Sequence, residues 1–163
     1  MLSQQSTFQK EISFSIATEQ ELIESFRLRD QKKLILPENL KFPFNVRSYF
    51  TWKEPSGNYV YLVFKAPNWD LARGVAFKRT SGEPVGGLCS WCNAFGSAQE
   101  LGMLSVAMSS TVSSSYFLCS DLRCIEKIED MTAMGGKNPE KYIADLYHRI
   151  EKLFENISNY KKE

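Results

Sequence analysis

Four cysteines constrain this chain more than any other feature. Cys89 and Cys92 stand two residues apart, 26 residues follow, and Cys119 and Cys124 then enclose four more. Two intervening residues let both thiolates of the first pair reach one metal ion around a tight turn, and the second pair supplies the two remaining corners of a tetrahedron. Gly86-Gly87, just before the first pair, admits backbone geometry that bulkier residues resist. The second pair falls where a strand gives way to a helix. The N–H groups and positive end of that helix favour thiolate. Four thiolates with no open position define one closed, structural zinc site. A redox Cys-x-x-Cys would leave Cys119 and Cys124 without a role, and inert buried cysteines would leave the paired spacing without one.

The rest of the chain surrounds that site with an ordinary core. At 163 residues it is long enough to bury a hydrophobic interior that does not depend on the metal alone. Aromatics make up 13%, with many between Phe42 and Phe77, as expected of a sheet packed on rings. The formal charge of +1 excludes a strongly basic nucleic-acid binder and a polybasic membrane anchor. Met1 to Ser15 lacks the pattern of a signal peptide, and no run approaches the ~20 apolar residues of a membrane span. These features predict a cytoplasmic protein with no membrane partner, in a reducing compartment where cysteines bind metal rather than pair.

Along the chain, Thr18 and Glu21 form a capping-box pattern ahead of Leu22, Ile23 and Phe26, which predicts a first helix. Ser48 to Lys53 and Tyr59 to Lys65 flank Glu54-Pro55-Ser56-Gly57-Asn58 and read as a hairpin. Gly74 to Arg79 is a third strand, and Gly82, Gly86 and Gly87 lead into the first cysteines. Leu101 to Met108 and Ser115 to Cys119 are two more strands, with Ser109 to Ser115 a mobile loop between them. Leu122 to Asp130 reads as a short helix and Met131 to Lys137 as a loop. Asn138-Pro139 opens a long helix whose stripe is Ile143, Leu146, Tyr147, Ile150, Leu153, Phe154 and Ile157, with Asp145 and Arg149 paired on its wet side. The expected fold is α+β: a treble-clef zinc finger on an antiparallel sheet of about five strands, closed by the C-terminal helix. Residues 1–44 are read as an extension with one helix packed on the domain, and residues 45–163 as the zinc-binding domain.

Trp52-Lys53-Glu54-Pro55-Ser56-Gly57, Tyr61-Leu62-Val63-Phe64, Gly74-Val75-Ala76-Phe77-Lys78-Arg79, Cys89-Ser90-Trp91-Cys92 and Cys119-Ser120-Asp121-Leu122-Arg123-Cys124 together resemble a known pattern. Over roughly residues 45 to 160 the chain is similar to the C-terminal treble-clef zinc-finger domain of elongation factor G-binding proteins. That family includes the FusB-type fusidic-acid resistance proteins. The resemblance implies a zinc-binding protein that contacts elongation factor G on or off the ribosome, with ribosomal RNA a further partner. The resistance proteins also carry an N-terminal helical bundle, whereas about 45 residues precede the matching region here.

Nothing in the sequence assembles an enzyme. His148, the one histidine, lies off the apolar stripe of the last helix, and no serine sits in a nucleophile elbow. Gly86-Gly87 lacks the ending of a phosphate-binding loop, and no small-molecule substrate is implied. Trp91 and Phe95 either cover the zinc site or serve as exposed protein anchors. Arg79, Arg123 and Lys127 are candidates for a basic rim around it. A nucleic-acid-binding zinc finger is the alternative reading, which requires a continuous basic stripe.

Overall fold

A computed structural model describes residues 12–80 and 85–157 of the chain. Gly82 lies outside the described residues, as do Met1 to Glu11. In chain order the elements are β1 (Ser13–Ile16), α1 (Glu19–Glu24), α2 (Leu28–Gln31), β2 (Phe44–Arg47), β3 (Phe50–Lys53), β4 (Tyr59–Phe64) and β5 (Arg73–Arg79). They continue with β6 (Gly87–Leu88), β7 (Phe95–Gly96), β8 (Leu101–Ala107), β9 (Ser113–Cys119), α3 (Cys124–Met134) and α4 (Glu140–Asn156).

The main sheet has five antiparallel strands in the order β3-β4-β5-β8-β9. Its middle is buried on both faces, which is why Tyr59 to Phe64 reads as a continuous apolar run rather than an alternation. Val60, Leu62, Phe64, Val75 and Phe77 face the main core, which also holds the four cysteines and Leu146, Ile150, Leu153 and Phe154 of α4. Tyr61, Val63 and Ala76 face the other way, toward Ile16, Leu22, Phe26 and Val46. The apolar stripe of α4 is therefore the lid of the main core, and the N-terminal segment covers the opposite face.

That N-terminal segment is more than one helix. Thr18 does cap α1, its hydroxyl accepting the Glu21 N–H at 3.1 Å, while the Glu21 carboxylate accepts the N–H of Ala17 at 2.7 Å. But α1 is followed by α2, and β1 pairs antiparallel with β2, so the two sides of the expected boundary at residue 44 share one ribbon. Phe26, between the helices, docks edge-on to Trp52 and Tyr61 at 6.0 and 5.9 Å between centroids. Gly74 makes room for it: a Cβ there would stand 2.6 Å from the Phe26 ring.

The serine-rich segment also differs from the expectation of a mobile loop. Ser113 to Ser115 belong to β9, paired with Ala107, Val106 and Ser105. The turn is closed by Met108 N–H to Val112 carbonyl at 2.8 Å, and the Ser109 hydroxyl accepts from Thr111 and Val112 N–H at 3.3 and 3.2 Å. Serine suits this place because β9 is an edge strand, where polar side chains discourage pairing with another chain. Helix α3 runs on to Met134, through part of the expected loop, with the Thr132 hydroxyl donating to the Ile128 carbonyl at 2.7 Å. Asn138 accepts the Glu140 N–H at 2.9 Å, but α4 starts one residue later than expected, with Pro139 at its N-cap and Glu140 as its first residue.

Candidate metal centre

The first cysteine pair sits on a two-stranded ribbon, β6 against β7. Cys89 N–H donates to the Ala94 carbonyl at 3.0 Å and Asn93 N–H to the Cys89 carbonyl at 2.8 Å, with Asn93 at φ +60 turning the chain back. Asparagine tolerates that left-handed conformation better than most residues. The flanking glycine works by close approach: a Cβ on Gly86 would lie 2.9 Å from the Gly96 carbonyl oxygen. Ser90 N–H donates to the Phe117 carbonyl at 2.8 Å, tying the ribbon to β9.

The second pair spans the junction of β9 and α3. Cys119 ends the strand and Cys124 is the first residue of the helix. Between them Leu122 adopts φ +58, with its N–H on the Cys119 carbonyl at 3.0 Å. A branched side chain rarely takes that conformation, and here complete burial of Leu122 holds it. Tyr49 braces the turn. Its hydroxyl donates to the Leu122 carbonyl at 2.7 Å and accepts the Ile125 N–H at 3.3 Å. Burial, then the charge of Cys124, pushes the Tyr49 hydroxyl well above its ordinary pKa, so it stays a donor. No sequence pattern singled out this residue, because its role arises from a contact 73 positions away.

The two turns bring one sulfur from each of Cys89, Cys92, Cys119 and Cys124 within 4.8 Å of one another, and all four residues are buried. Cys89 Sγ lies 3.7 Å from Cys124 Sγ, and Cys92 Sγ lies 3.7 Å from Cys119 Sγ. A disulfide would need about 2.05 Å. A tetrahedral ion with bonds of about 2.3 Å sets its sulfurs about 3.8 Å apart, so the four fit a zinc-sized cavity. Without a cation the thiols must share protons. Hydrogen bonds from Cys119, Cys124 and then Cys92 drive Cys89 far below the usual thiol range, and the bond from Cys119 lowers Cys92. Cys124 moves up through its bonds to Cys119 and Cys89, and Cys119 does so because Cys89, Cys92 and burial outweigh its bond to Cys124. A dication replaces those protons and leaves no open position for substrate.

The structure separates the five candidate partner residues. Trp91 is buried at 4% exposure, edge-on to Phe77 at 5.9 Å, and its carbonyl accepts from Arg149 Nη1 at 2.6 Å. It is a packing residue of the knuckle and not an exposed anchor. Arg149 serves that contact from a half-buried position on α4. Phe95 is 75% exposed and faces Leu88, its partner across the ribbon, which is 60% exposed. Arg79 and Arg123 are exposed. Lys127 is half-buried, its Nζ shut off from solvent with no hydrogen-bond partner. Burial lowers the Lys127 pKa, and its neighbours Cys119, Glu100 and Cys92 raise it above the ordinary value. His148 is exposed.

With this geometry in place, the profile of the FBP C-terminal treble-clef zinc-finger matches residues 20–163. The chain belongs to that family. The match begins in α1, well before residue 45, in keeping with the ribbon that joins the N-terminal segment to the sheet. Membership and the cluster of four cysteines make this a zinc site. Among solved structures, the fusidic acid resistance protein FusC superposes with a TM-score of 0.53 at 18% sequence identity. The alignment covers 90% of this chain and 60% of FusC, so the two share a fold while this chain spans about 60% of the length of that protein. No curated protein matches the chain. No helix among the described residues is long and apolar enough to cross a membrane.

Proposed function

We propose that this chain is a non-catalytic, cytoplasmic protein that holds one structural zinc ion through Cys89, Cys92, Cys119 and Cys124. Its zinc-tied ribbon binds a translation factor, elongation factor G, on or off the ribosome. The observation that carries the interaction is the Leu88–Phe95 pair. Two large apolar side chains lie opposite one another on a two-residue ribbon, 60% and 75% exposed, while the knuckle between them is fixed by four buried sulfurs. A rigid platform lowers the ordering cost of association, and an exposed aromatic on it is a natural anchor. Arg79 and Arg123, both exposed, supply charge that steers encounter. Family membership and the shared fold with a fusidic acid resistance protein support the choice of partner. The near-neutral charge disfavours phosphate-dominated binding.

Titration calorimetry with purified elongation factor G from the same organism tests this reading. The expected result is measurable binding that weakens about 30-fold or more in Phe95→Ala, the loss of one hot-spot side chain. The variant should keep its zinc, because Phe95 points away from the packed core. No heat at tens of micromolar (weaker than about −6 kcal/mol) beside tight binding to RNA would replace the proposal with the nucleic-acid reading.

A further inference from the structure

A groove between α3 and α4 is used by neither the packed core nor the proposed ribbon interface. Two adjoining hollows of about 260 and 290 Å³ share Cys92, Ile128, Met131 and Tyr142 as lining. Ile128 is buried, whereas Met131 and Tyr142 stay 44% and 41% exposed. Lys137 lines one hollow and Lys141 the other. The turn that carries Lys137 is fixed, its N–H donating to the Thr132 carbonyl at 2.7 Å and Gly136 taking φ +68. Both lysines are exposed, and among the described residues neither ammonium has an ion-pair or hydrogen-bond partner. Arg149 also lines the groove; instead of pairing with Asp145, as its sequence position suggests, it donates to the Trp91 carbonyl at 2.6 Å. Asp145 is the one acid in the lining, set against Lys137, Lys141 and Arg149.

We propose that this groove docks an acidic peptide segment of a partner protein, one large apolar side chain filling the hollow while flanking carboxylates meet Lys137 and Lys141. Two observations select that occupant. The hollows are smaller than the ~300–1,000 Å³ of a small-molecule site, and the exposed parts of Met131 and Tyr142 carry the apolar lining out to the surface, as suits a side chain delivered on a polypeptide. Unpaired cations beside an apolar floor complement a peptide of opposite charge. An RNA backbone would meet the same lysines but leave the apolar floor unfilled, and Asp145 would oppose its phosphates. Leu88, Phe95, Arg79 and Arg123 do not line the groove, so the inference depends neither on the ribbon interface nor on the translation factor proposed for it.

Fluorescence anisotropy of the zinc-loaded full chain with the labelled peptide Glu-Asp-Phe-Leu-Asp-Glu, at low salt, tests this. Saturable binding is expected below about 1 mM. Lys137→Glu combined with Lys141→Glu should weaken it about tenfold or more, and so should Tyr142→Ala. These side chains are exposed, so the variants should fold. A peptide with Ser in place of Phe-Leu, and one with Lys in place of its acids, should each bind about tenfold more weakly or worse. Phe95→Ala, which reads the ribbon interface, should leave the peptide affinity unchanged. Absence of saturation, an affinity that charge reversal leaves unaltered, or an equal loss in Phe95→Ala would overturn the proposal. A labelled RNA hexamer that displaces the peptide and binds more tightly would overturn it too, by assigning the lysines to RNA.

Discussion

Cys119→Ser should strip the protein of retained zinc and lower its thermal midpoint by about 10 °C or more, the scale expected when several kcal/mol of metal-linked folding energy are lost. Cys119 ends β9 and its sulfur lies 3.7 Å from that of Cys92 on the ribbon, so the ion joins segments that share few other ties. Without it the β6–β7 pairing, the Ser90–Phe117 and Arg149–Trp91 bonds and the packing of Trp91 on Phe77 remain, and none of these replaces four metal–sulfur bonds. The four cysteines lie in the same cluster as the α4 stripe, so unfolding of the centre and of the core should be coupled. Differential scanning calorimetry of the zinc-loaded variant and of chelated wild type checks this. A midpoint that chelation leaves unchanged would show that the site contributes nothing to folding.

Phe154→Ala should cost about 3–5 kcal/mol, the range for emptying a fully buried phenylalanine site. Phe154 is completely buried, stacks on Phe64 of β4 at 6.3 Å and meets Trp69 edge-on at 5.4 Å. The neighbours come from a strand and a loop that are themselves anchored, so the cavity cannot close by collapse. Urea denaturation of the zinc-loaded protein, followed by tryptophan fluorescence, reads the loss as a lower midpoint at unchanged slope. A loss under about 1 kcal/mol would mean that α4 does not close the core.

The features that sequence alone revealed are the ones coded locally. The period of Leu146, Ile150, Leu153 and Phe154 is written in one helix, and all four residues are buried. The spacing of the two cysteine pairs is likewise local, and each pair turns tightly enough to offer two sulfurs together. The features that escaped depend on distant contacts. Ser13 to Ile16 is too short and too mixed to announce a strand, and only its pairing with Phe44 to Arg47 makes it one. Serines of β9 look like a linker until an edge position gives them a ladder on one side and solvent on the other. Trp91 carries the composition of an anchor, and its burial follows from Phe77, 14 residues earlier, and from Arg149 on α4. Tyr49 owes its role to where β9 and α3 meet, a junction no short window contains.

Zinc-edge X-ray absorption on protein purified without chelator, with the metal counted by elemental analysis, addresses the centre itself. The predicted result is one zinc per chain surrounded by four sulfurs at about 2.3 Å. A shell containing nitrogen or oxygen, or protein that folds and holds no zinc, would contradict it.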